Sequence, residues 1–114
     1  MRKPLFIPLK TQYYEAFADG SKLSEIRLHG PRWNADTCTP GRRVTLSKGY
    51  GKKDRLSGSI HAFHKMKGHQ FPREQQIDIQ AVYGTLEEDM AEICIYDAAP
   101  SNKRPSTDGG DNGS

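Results

Sequence analysis

Three charged side chains stand close together in this chain, Lys22, Glu25 and Arg27, within the stretch Gly20–Leu28. On a surface, an ammonium beside a carboxylate is a plain ion pair worth about 0–1 kcal/mol. In a cleft the same pair can position a phosphate or polarise a carbonyl while the carboxylate moves a proton. Arg27 adds a planar donor fork that suits a phosphate or a base edge, and that can equally hold Glu25 in place. In a regular strand Lys22, Ser24 and Ile26 face one way and Leu23, Glu25 and Arg27 the other. Lys22 and Glu25 therefore share a cleft only if Lys22 still belongs to the turn after Gly20.

A second group lies in Lys48–Arg55, which combines Lys48, Lys52, Lys53 and Arg55 with Tyr50 and two glycines. Backbone amides and ammonium groups there can track a phosphate chain while Tyr50 stacks a base. The alternative is a solvated hairpin tip. The stretch matches neither a phosphate-loop nor a dinucleotide pattern. His61, His64 and His69 fall within nine residues, but two histidines three apart on a strand face opposite ways and no third ligand is evident. The reading is no metal and no cofactor. The histidines are expected on a polar face, where protonation below about pH 6.5 strengthens phosphate binding. Cys38 and Cys94 are expected reduced, with Cys94 a buried thiol in an apolar strand.

Charge is unevenly spread along the 114 residues, whose formal net charge is +3. Residues 42–73 hold nine Lys or Arg and one acid, whereas residues 74–97 hold seven acids and no Lys or Arg. A basic half suits a polyanionic partner. The competing reading is that the two segments neutralise each other across the fold.

Elements must position these groups. Leu5–Lys10 reads as a short strand, interrupted at Pro8 and so either at a sheet edge or irregular. Residues 11–19 read as a helix, with Thr11 as its cap, Tyr13, Tyr14 and Phe17 as its apolar face and Gly20 as its stop. Residues 29–41 read as a loop with Trp33 packed onto the domain. Residues 42–50 and 55–68 read as a hairpin of strands. Val44, Leu46, Leu56, Ile60 and Phe63 point inward, and Gly58 marks a bulge. Residues 73–86 suit a helix or mixed segment, with Ile77, Ala81 and Val82 at helical spacing. Residues 92–98 form a last strand. The tail, 99–114, carries no large apolar side chain and is expected to be disordered. The fold class is α+β, a small β-barrel or strongly curved sheet with flanking helices.

Hydrophobic residues make up 34 % and mean hydropathy is −0.80, enough for one small core. No apolar run approaches the roughly 20 residues of a membrane span. The basic start is too short in its apolar part for a signal peptide, so a cytoplasmic monomer with no membrane partner is expected.

The spacing Gly20-x-Lys22-x-x-Glu25-x-Arg27 after a helix resembles the signature of the ASCH domain, named for activating-signal-cointegrator homology, in the PUA-like superfamily. Leu9-Lys10 before the helix and Pro40–Leu46 at a strand start also fit. The resemblance covers residues 5–98, within a domain spanning 1–98. It implies a PUA-like β-barrel with flanking helices, a cleft lined by the motif, and binding of RNA or modified nucleosides. Some bacterial members are amidohydrolases acting on acetylated cytidine, and some are reported as nucleases. In the amidohydrolase branch a lysine matching Lys22 works with a threonine three residues on and a distant glutamate. Here Glu25 occupies the threonine position, Ser24 supplies a hydroxyl one residue early, and Glu92 is the candidate distant acid. Arg42 stands where the family often has an acid.

Three functions follow as expectations. The first is a module that binds RNA or a nucleotide-like ligand through Lys22, Glu25 and Arg27. Arg42, Arg43, Lys48, Tyr50, Lys52, Lys53 and Arg55 would then guide the backbone. The second is a hydrolase of RNA or modified nucleosides, a ribonuclease or amidohydrolase, with Lys22, Glu25 and Ser24 as catalytic candidates. The third is a protein-interaction module using the acidic 74–97 segment.

Overall fold

The computed structural model describes residues 2–100. Five strands and two helices follow one another as β1 (Leu5–Leu9), α1 (Thr11–Ala18), β2 (Ser24–Leu28), β3 (Arg43–Lys48), β4 (Arg55–Lys67), α2 (Arg73–Tyr83) and β5 (Asp89–Pro100). They build one sheet in the order β1-β3-β4-β5-β2. Only β1 and β3 run parallel; every other neighbouring pair is antiparallel.

Pro8 lies on β1, an edge strand, as its missing N–H requires. The β3–β4 hairpin forms, and β4 shifts register against β5 between Ser57 and Ser59 and again between Ile60 and Ala62. The first shift falls at Gly58. A Cβ there would meet Ile95 Cγ2 at 3.0 Å and the Tyr96 carbonyl at 3.1 Å, so the close approach of β5 demands glycine.

The sheet curls into a half-barrel and remains open, with β1 and β2 as its edges. In a flat sheet those edges would stand four strand spacings, about 19 Å, apart. Instead the Arg27 guanidinium of β2 donates a hydrogen bond to the Pro8 carbonyl of β1. The curved sheet is therefore realised and the closed barrel is not.

The main core fills the inside of the curl. Ile7, Val44, Leu46, Leu56, Ile60 and Ile93 are all fully buried there, and Tyr14 and Phe17 of α1 cap it. A smaller core lies between α2 and the other face of the sheet, built on Phe71, Ile79 and Met90. Each buried aliphatic side chain contributes about 1.5–3 kcal/mol by leaving water.

Four local expectations need correction. Thr11 is the first residue of α1, not its cap. Lys10 occupies that position and no side chain caps the helix. The segment 73–83 is a full helix, but Ile77 and Val82 are exposed and Ile79 is the buried anchor. Tyr13 is only half-buried. The last strand begins at Asp89 and runs on to Pro100, where Ala99 and Pro100 pair with Ser57 and Leu56. The expected tail thus loses its first two residues to β5, and residues 101–114 lie outside the described residues. Among the described residues no helix is long and apolar enough to cross a membrane.

Candidate functional site

The helix α1 ends where Gly20 adopts φ +85°, a left-handed conformation that costs glycine little. Two further backbone bonds close this end, from Gly20 N–H to the Phe17 carbonyl and from Lys22 N–H to the Ala16 carbonyl. Lys22 is thereby held in the turn, two residues before β2 begins. That placement satisfies the condition for a shared cleft. Lys22 Nζ stands 3.9 Å from Glu25 Oε1, and Glu25 Oε2 accepts a 2.6 Å hydrogen bond from Arg27 Nε.

Glu25 pairs across the sheet with Ile93, and Arg27 with Ala91. Both therefore project from the face on which β5 buries its core residues. Glu25 is only 7 % exposed, so its charge is removed from water and depends on its two cationic neighbours. Arg27 also stacks on Trp33, with Cζ 5.1 Å from the ring centre. The expected packing of Trp33 onto the domain holds: it is buried, with Arg32 at 5.0 Å on its ring as well. Lys22 Nζ lies 5.1 Å from the Tyr13 ring centre and 5.7 Å from that of Phe17.

Lys22, Glu25, Arg27 and Tyr13 line a cavity of about 410 Å³. Its floor is Lys22, Glu25 and Arg27, and Tyr13 of α1 closes one side. Gly49 and Tyr50 form the rim beside the β3–β4 turn, and Gln75, Asp78, Ile79, Val82 and Tyr83 of α2 make the far wall. Burial raises the Tyr13 hydroxyl above the ordinary tyrosine value, aided by the Asp78 and Glu25 carboxylates. Burial likewise raises Tyr83, against the opposing pull of Arg27. Both are neutral phenols near neutral pH and can donate hydrogen bonds. The cavity thus offers aromatic faces, cationic and phenolic donors, and two carboxylates.

The α2 wall was not identified from sequence. Its signal is the repeat of three and four residues through Gln75, Asp78, Ile79, Val82 and Tyr83, one face of a helix. The spacing shows a face but not what it covers.

The predicted site residues divide. Lys22, Glu25, Arg27 and Tyr50 meet at the cavity. Lys52 and Lys53 are exposed on the adjoining turn and form no ion pair among the described residues. Lys48 is taken up by Glu15 and Asp54, each 3.7 Å away, and Arg55 packs its guanidinium on Phe6. Arg42 donates to the Lys3 and Thr37 carbonyls and so holds the 30–41 loop to the N-terminal segment. Arg43 bonds the Ser57 and Ser59 hydroxyls at the opposite end of β3 from Tyr50. Neither Arg42 nor Arg43 reaches the cavity, so the basic segment is not one continuous surface.

Ser24 is also absent from the cavity. It projects from the other face of β2, and its hydroxyl donates to Glu92 Oε2 at 3.1 Å. Glu92, the candidate distant acid, is on that far face too. There it meets His64 and Cys94, a group able to hold a metal ion. The partners of His64 come from β5, which the spacing of histidines along one strand does not reveal. Cys94 is half-buried rather than buried, and burial together with the Glu92 carboxylate raises its thiol above the usual value. Across β4 and β5, Lys67 lies 3.2 Å from Asp89. The basic and acidic segments therefore neutralise each other in part.

No family model and no curated protein matches the chain. Solved structures do match. ASCH from Zymomonas mobilis superimposes with a TM-score of 0.57 at 16 % identity, covering 90 % of this chain and 82 % of that one. A tyrosine-to-phenylalanine variant of the same protein gives 0.60 at 16 % identity, covering 94 % and 88 %. A serine-to-alanine variant gives 0.59 at 16 % identity, covering 83 % and 68 %. The chain has the α+β half-barrel fold of these ASCH proteins.

Proposed function

On this ASCH-type fold, we propose that the chain binds RNA or a nucleotide-like ligand, with a base in the cavity and phosphates on the 50–53 turn. The observation that supports this best is Glu25, a carboxylate buried at the cavity floor between Lys22 and Arg27. A planar heteroaromatic ligand presents donors and acceptors along one edge and an apolar face. Glu25 accepts from the first, Lys22 and the phenols donate to it, and Tyr13, Tyr50 and Tyr83 cover the second. The exposed Lys52 and Lys53 beside the rim supply the phosphate term.

The Lys22–Glu25 pair favours a second reading, hydrolysis of RNA or of a modified nucleoside in the same cavity. Lys22 would polarise the scissile group and Glu25 would move the proton. Ser24 has no part in it, because its hydroxyl lies on the far face.

The test is an amide chemical-shift titration with short single-stranded RNA, followed by a denaturing gel. Shifts clustered at residues 20–28, 50–53 and the α2 wall with intact RNA support binding. The same shifts with cleaved RNA support the hydrolase. Shifts confined to exposed lysines distant from the cavity overturn both.

A further inference from the structure

We propose that His64, Glu92 and Cys94 form a binding site for a divalent cation of borderline softness, with Zn²⁺ the best match. This site is separate from the cavity and does not rest on the function proposed above.

The sheet itself assembles the ligands. His64 and Glu92 are direct register partners on β4 and β5, and Cys94 stands opposite Ala62, two residues along the same face. His64 Nδ1 is 3.3 Å from Glu92 Oε1 and 3.9 Å from Cys94 Sγ, and all three donor atoms lie within 4.8 Å of one another. Around a tetrahedral zinc with bonds of about 2.0–2.3 Å, neighbouring donors stand about 3.3–3.8 Å apart. The group therefore needs only a small contraction to close on an ion. Because all three positions are strand residues, little chain has to be ordered on binding.

The donor types set the ion. A thiolate, an imidazole and a carboxylate form a zinc-type set, whereas a thiolate disfavours Mg²⁺ and Ca²⁺. Cys94 as thiolate and Glu92 as carboxylate together balance the two positive charges. The Ser24 hydroxyl donates to Glu92 Oε2 and leaves Oε1 turned toward His64. Ser24 is thus a positioning residue for the carboxylate. The His64 side chain is 55 % exposed, which leaves the fourth coordination position open to water.

The test uses the full chain, reduced and stripped of metal, titrated with Co²⁺ and then with Zn²⁺. A thiolate-to-cobalt charge-transfer band should appear, saturate at one ion per chain and vanish as Zn²⁺ displaces Co²⁺. Of the two cysteines, Cys38 is fully buried, so the band reports on Cys94. Cys94→Ser should abolish it. His64→Ala, at an exposed position outside both cores, should weaken binding at least tenfold. Ser24→Ala should weaken it about tenfold to a hundredfold. Absence of the band overturns the proposal. So does a band that survives Cys94→Ser, or an affinity unchanged in His64→Ala, which would leave these residues as a His–Glu pair beside a thiol.

Discussion

Arg27 on one edge strand donates to the main-chain carbonyl of Pro8 on the other, so a single side chain spans the open seam of the half-barrel. The same guanidinium holds Glu25 through Nε and lies on Trp33. Structure and site therefore share a residue, and the cavity floor cannot be rearranged without loosening the curl.

This sharing separates the roles of the two cations. Arg27→Ala strands a buried carboxylate and unties Pro8, and should cost about 2–3 kcal/mol. Arg27→Lys should recover little, since an ammonium cannot serve both partners in their fixed geometry. Lys22→Ala, at 3.9 Å from Glu25, should cost under about 1 kcal/mol yet weaken ligand binding. Urea denaturation beside ligand titration checks the contrast. Equal losses of stability in both variants would contradict it.

Salt dependence should report which basic residues touch phosphate. Each contact to a single strand contributes about 0.7 to the slope of log affinity against log salt. Lys52→Ala and Lys53→Ala should each lower the slope by that amount. Arg43→Ala should leave it unchanged, because Arg43 is spent on Ser57 and Ser59 at the far end of β3.

Alkaline pH should destabilise the fold through its tyrosines. Burial raises Tyr83, Tyr13 and Tyr14 above the ordinary value of 10.0. A raised folded-state value favours the neutral phenol in the native protein. That stability is complete below pH 10 and is lost as pH climbs through the folded values. Phenolate absorbance should therefore appear at higher pH in the native chain than in urea. The urea midpoint should fall above pH 10, and less steeply in Tyr83→Phe.

Gly68 should tolerate no side chain. A Cβ there would sit 2.9 Å from Leu86 Cα and 3.0 Å from the Leu86 carbonyl oxygen, and backbone cannot rotate aside. Gly68→Ala should cost about 1–3 kcal/mol and displace the segment that carries α2 into the cavity wall. Thermal unfolding should show a drop of about 4–8 °C for each kcal/mol lost. An unchanged melting temperature would mean that residues 68 and 86 separate easily.

Much of the site's local geometry was legible in the residues. Gly20 stops a helix by its left-handed φ, and that stop holds Lys22 in the turn facing Glu25. Pro8 marks an edge, and Gly58 marks a bulge. Each of these depends on backbone preferences that operate within a few residues. The α2 wall was less legible, since Asp78 and Tyr83 share a helix face whose partner lies some fifty residues earlier. Arg42 and Arg43 look the same in sequence as Lys52 and Lys53, yet hydrogen bonds to distant carbonyls and hydroxyls engage their guanidinium groups away from the cavity.

By itself, then, the sequence determined the elements, their order and the Lys22–Glu25–Arg27 constellation, because helix stops, alternation and charge spacing are short-range properties. Only the tertiary structure decided that the sheet stays open, that Arg27 bridges its edges, and that Glu92 joins Ser24, His64 and Cys94 on the face away from the cavity. The physical reason is strand register. The pairing of β5 with both β2 and β4 assigns each side chain to a face, and that pairing is set by the burial of Ile93, Ile95 and Met90 far along the chain.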